Sequence, residues 1–121
     1  MKEKETAMEI DANDIYEKII QAAEASFKEG WLAVKSYAPA EFRKMSVQLA
    51  DVAQNVALYQ ADKNQGYSPK TAKILVKMQR TSCEAVLVAI TQLTLITVQK
   101  ALNAIMKVLR NAFGGVLAAV V

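Results

Sequence analysis

Phe42, Met45, Leu49, Val52, Val56 and Tyr59 follow one another at steps of three, four, three, four and three. That spacing is a heptad seam along one face of an α-helix. It predicts a helix over 39–62 and close, nearly aligned packing against a neighbour. An antiparallel hairpin with the preceding segment satisfies that demand within one chain. There Ile15, Ile19, Ala22, Ser26, Gly30 and Val34 line one face, flanked by Phe27 and Trp31, and predict a helix over 14–36. Asp11 or Asn13 is placed to cap it. Ala38-Pro39 ends the pattern, and Pro39 suits the first turn of the second helix.

A polar loop over 62–67 follows, after which Ser68 caps and Pro69 opens a third helix. Neither glycine nor proline appears again before Gly114. The expected helix over 69–113 is about 44 residues and roughly 66 Å long. Its apolar side changes on the way. Ile74, Leu75, Met78, Ser82 and Ala85 share one face in its first part; Val98, Ala101, Leu102, Ile105, Leu109 and Ala112 share a roughly opposite one later. Residues 85–99 between them carry no charge. Two arrangements follow. In the expected one the helix is continuous, because Thr91, Thr94 and Thr97 weaken a helix without breaking it. Two shorter helices cannot cover it, so a second chain completes the bundle. In the alternative, a kink near Thr91 and Thr97 closes a four-helix bundle within one chain. A strand over 86–98 is compatible with local propensity but has no pairing partner.

The expected fold is therefore all-α: a charged arm over 1–12, then one helical domain over 13–121 with a hairpin and a long third helix. The uncharged apolar tail over 114–121 must dock somewhere, because exposed grease is a liability in water. Of the 121 residues 53% are apolar and 7% aromatic, so the core rests on Ala, Val, Leu, Ile and Met. The absence of an apolar leader pattern at the start places the chain in the cytoplasm by expectation, with membrane association or non-classical secretion as alternatives.

One cysteine, Cys83, and no histidine leave no disulfide framework and none of the usual zinc, haem or histidine-triad chemistry. No glycine-rich phosphate loop is present. The expectation is no enzyme and no cofactor. The sole place to look for chemistry is the trio Arg80, Cys83 and Glu84, for which a helix ion pair with a buried packing thiol is the simpler reading.

Charge is divided. Residues 1–62 hold 7 basic and 11 acidic side chains; residues 63–121 hold 8 and 1. Lys70, Lys73, Lys77 and Arg80 form a basic stripe on the third helix, read as a solvated face paired with acids such as Glu17 and Glu24. Nucleic acid is disfavoured as a partner, for want of aromatic interleaving or a helix-turn-helix spacing.

The leading functional expectation is a non-enzymatic assembly protein that forms a homo-oligomer through Val98, Leu102, Ile105, Leu109, Phe113, Leu117 and Val121. The first alternative is a membrane-active protein (pore-forming, holin-like or membrane-surface) using its cationic amphipathic last third on an anionic bilayer. The second is a small module that binds an acidic protein or a nucleic acid through the basic stripe.

Overall fold

In a computed structural model, which describes residues 11–121, the chain is all-helical. The arm expected over 1–12 lies outside the described residues, except for its end. There Asp11 accepts a hydrogen bond from the Asn13 N–H and caps α1, Ala12–Phe27.

α1 does not run on to residue 36. Lys28 takes a positive φ of 54° and the chain turns through a short 3₁₀ segment, Lys28–Gly30. Gly30 sits against Leu93, whose Cδ1 lies 3.2 Å from where a Cβ would stand, so a larger residue there would require the leucine side chain to shift. The chain then enters α2, Trp31–Tyr37, and α3, Pro39–Ala61. Pro39 bends this path without ending it. Ala38 keeps right-handed helical geometry, donates to the Val34 carbonyl and accepts from the Phe42 N–H. The hairpin thus reverses at Lys28, ahead of the proline, and α1 lies antiparallel to the α2–α3 path. Asn13 and Tyr16 near the start of α1 both meet Arg43, one by a 2.6 Å hydrogen bond and one by a cation–π contact.

The heptad seam behaves as its spacing requires. Phe42, Met45, Leu49, Val52 and Val56 are buried, and Tyr59 is half-buried at the end of the helix. Gly66 then turns the chain with φ +68°, its backbone packed on the Asn55 carbonyl. The Tyr67 N–H donates to that same carbonyl.

The long third helix does not exist as one piece. It divides into α4, Pro69–Thr91, and α5, Leu95–Phe113. The threonines that were expected only to weaken it build the reversal. Thr91 Oγ1 donates to the Leu87 carbonyl and accepts from the Leu93 N–H. Gln92 takes a left-handed conformation, φ 65°, and ends α4. Thr94 then caps α5 by accepting from the Thr97 N–H. Thr91, Thr94 and the Gln92 side-chain amide, which donates to the Ala89 carbonyl, thus satisfy backbone groups that a broken helix exposes. The kink near Thr91 and Thr97 is where the chain folds back.

α5 returns antiparallel along α4, with Arg80 against Asn103 and Glu84 against Gln99. The helices neighbour one another in a ring: α1 with α3, α3 with α4, α4 with α5, and α5 with α1. The tail forms a last short helix, α6, Gly115–Val120, on α3, α4 and α5. Its Leu117 and Val120 are buried and Arg110 donates to the Val121 carbonyl.

This corrects the expected oligomer interface. Val98, Leu102, Ile105, Leu109 and Leu117 are fully buried inside the chain, and Phe113 and Val121 are half-buried against the same core. Folding back supplies the cover that a second chain was expected to give.

Candidate functional site

α4 is fixed at its start by Ser68, whose hydroxyl accepts from the Thr71 N–H, and by Pro69 in the first turn. Its inward line is Ala72, Val76, Cys83, Leu87 and Thr91, all buried. The face expected to be the core face, Ile74, Leu75, Met78, Ser82 and Ala85, points the other way. Ile74 is 55% and Met78 63% exposed; Ser82 and Ala85 are exposed too, and only Leu75 is half-buried. The reason is geometric. Phe42, Met45 and Leu49 of α3 bring large side chains to the core, and the first half of α4 meets that core with the narrower Ala72, Val76 and Cys83, ahead of the larger Leu87.

The outcome is an uncovered, largely uncharged strip along α4. Two shallow depressions flank its centre. One, about 510 Å³, is lined by Ile74, Lys77, Met78, Thr81 and Ser82. The other, about 260 Å³, lies towards α3 and is lined by Gln48, Leu75, Met78, Gln79 and Ser82. Met78 and Ser82 belong to both, so Met78 stands as a ridge between two hollows. Gln79 brings a buried amide nitrogen with no hydrogen-bond partner among the described residues.

The basic stripe splits. Lys70, Lys73 and Lys77 are exposed on the side of the strip towards α5 and form no ion pair with any described residue. Arg80 turns across to α5, pairing with Glu84 at 3.3 Å and with Asn103. The expected partners Glu17 and Glu24 do not reach the stripe, because α1 and α4 are not neighbours in the ring.

Compared with protein-family models, with curated proteins and with solved structures, the chain matches none of them. Its surface therefore has to speak through its own chemistry.

Within the trio of Arg80, Cys83 and Glu84, the arginine pairs with the carboxylate and the thiol is buried. Burial is the largest cause that pushes the Cys83 thiol up to about 12, and the carboxylates of Glu41 and Glu84 add to it against a smaller opposing effect of Lys44. A thiol held neutral in this way has little thiolate, the nucleophilic form, at ordinary pH. Glu41 is buried, with one oxygen 3.4 Å from Lys44 and the other without a hydrogen-bond partner among the described residues. A cleft of about 410 Å³ beside Arg80 and Glu84 is closed on one side by Val120 and Val121. Among the described residues no cluster of three acidic, cysteine or histidine side chains could hold a metal ion, and no helix is long and apolar enough to cross a membrane.

Sequence reasoning missed the outward strip because it assigned the bulkiest face of α4 to the core. The signal was present in the line Ala72, Val76, Cys83 and Leu87, which has helical spacing but holds small or medium side chains until Leu87.

Proposed function

We propose that the chain is a non-enzymatic interaction module whose working surface is the outer face of α4. The observation that carries this reading is the exposure of Ile74 and Met78 on a helix whose core face is already satisfied. Large apolar side chains on one exposed helix face, with small residues beside them, are what a partner helix covers. Leu32, Tyr37, Val47, Leu95 and Ile96 are exposed elsewhere, at the short α2, singly on α3 and at the first turn of α5, whereas the main apolar faces of α5 and α6 lie in the chain's own core, which removes the reason to place the membrane or the oligomer there.

Self-assembly through the α4 face is a second reading, favoured by the division of charge between residues 1–62 and 63–121. One experiment addresses both. A photo-crosslinking side chain is placed at Met78 and, as a control, at Lys18 on the exposed side of α1, in cells that make the chain. Adducts concentrated at Met78 support the module, and an adduct of twice the chain mass selects self-assembly. Equal labelling at the two positions, or none at Met78, ends the proposal.

A further inference from the structure

We infer that the outer face of α4 is the docking site for an amphipathic helix of another protein, one that carries acidic residues along the edge of its apolar stripe. The inference rests on the proposed role of this face and names the chemistry of its partner. The shape is that of a helix seat. Met78 forms a ridge between two hollows, and a second helix packs by laying its own ridges into such grooves. Ser82, Ala85 and Ala89 continue the exposed strip with small side chains, so a second backbone can come close there.

The edge sets the sign. Lys70, Lys73 and Lys77 border the strip on the α5 side, and the sole acid of α4, Glu84, is already engaged by Arg80 and Gln99. A partner that covers Ile74 and Met78 must therefore lie beside positive charge over two turns. Acidic residues there steer and hold it; basic ones oppose it.

A second copy of this chain fits less well. Its exposed acids are scattered: Asp14, Glu17 and Glu24 stand on α1, which exposes no large apolar side chain, Asp51 stands on α3 near Val47 alone, and Glu29 lies in the 3₁₀ segment. A two-fold contact over α4 would set two lysine-edged strips together. An anionic membrane could use the lysines, but Thr81 and Ser82 in the middle of the strip suit a packed helix better than lipid.

The test uses the full chain and two synthetic helices with the same leucine stripe, one edged with Glu and one with Lys. Fluorescence anisotropy reads binding, and light scattering with vesicles of phosphatidylserine and phosphatidylcholine reads lipid. The Glu-edged helix should bind at least about tenfold tighter than its Lys twin and weaken with salt. Met78→Asp should abolish binding, and Ala85→Arg should do so independently should the first variant fold poorly. The triple variant Lys70→Glu, Lys73→Glu, Lys77→Glu should reverse the preference. Equal binding of both helices would leave the face as an interaction surface but overturn the acidic partner. No binding of either helix, binding to vesicles alone, or a chain that dimerises over this face overturns the inference outright. If Met78→Asp and Ala85→Arg leave helix binding intact, the contact lies elsewhere, and the role of the face falls with it.

Discussion

α4 and α5 are two parts of what the sequence presents as a single helix, and they treat their apolar residues in opposite ways. α5 hides Val98, Leu102, Ile105 and Leu109 completely and exposes Leu95 and Ile96 only in its first turn, whereas α4 leaves Ile74 and Met78 more than half exposed along its body. Both are strongly patterned, so pattern alone does not say which face a helix buries. Position in the ring does. α5 lies between α1 and α4 and must fill the space between them with large side chains. α4 faces α3, which already brings Phe42, Met45 and Leu49, and answers over its first half with Ala72, Val76 and Cys83, reaching a large core side chain only at Leu87. An amphipathic helix with its smaller face inward carries its surplus outside, and that surplus is the surface proposed to receive a partner.

The hardest blow to this contrast is a change in α5. Leu102→Ala should cost about 2–5 kcal/mol, the usual range for emptying a fully buried leucine site. Leu102→Asp buries a charge with no partner and should unfold the chain. A urea titration followed by circular dichroism checks both. An assembly interface at Leu102 would behave differently: the Asp variant would lose mass while keeping its helicity. Next comes the reversal between α3 and α4. At Gly66 a Cβ would fall 1.9 Å from the Asn55 carbonyl oxygen, on a backbone with φ +68°. Gly66→Ala should cost at least about 1–3 kcal/mol for the left-handed backbone, before any displacement of α3.

Much of this architecture could be read beforehand where one physical signal stood alone. The seam from Phe42 to Val56 declared its buried face by spacing. Ser68 and Pro69 declared the start of α4, and the glycines after Phe113 declared the end of α5. Reading failed where two signals competed. Pro39 looked like a terminator, but its missing N–H falls where the helix path only bends, while Lys28, with no special propensity for positive φ, makes the turn. Thr91 and Thr94 were weighed as poor helix formers; their hydroxyls matter more as partners for the exposed backbone of a break. The outward strip was hidden for the same reason. Bulk was taken as the mark of a core face, and the spacing of smaller residues was passed over.

Cys83 offers a prediction of middle size that separates packing from chemistry. Its thiol is held up at about 12 in the folded chain, against a value near 9.0 when solvated. Above pH of about 9 the unfolded chain releases a proton that the folded chain keeps, so stability falls as pH rises, by up to about 1.4 kcal/mol per unit. Below that pH both states hold the proton and the group contributes no slope. Cys83→Ala should flatten this part of the profile relative to the parent chain, as measured by denaturant midpoints between pH 8 and 10.5 (roughly 0.5-unit steps suffice). A smaller loss should follow from Thr94→Ala, which removes the cap of α5 and should cost about 1 kcal/mol. Thr94→Asp should retain most of it, since a carboxylate also accepts at a helix start.

The smallest stability effect is expected at the positions that matter most for the proposed role. Ile74→Ser and Met78→Ser remove apolar surface that water already reaches, so each should change stability by no more than about 0.5 kcal/mol. Melting curves that overlay the parent, together with loss of binding to a Glu-edged helix, would assign these residues to recognition. A drop of about 2 kcal/mol, of the size that core truncation gives, would instead mean that the face is covered in solution by the chain or by a copy of it. The two outcomes cannot be confused, because a residue that supports the fold loses stability before it loses a partner. The contrast between α4 and α5 is thus a difference in where the cost of truncation appears: in folding for the helix that hides its stripe, and in binding for the helix that shows it.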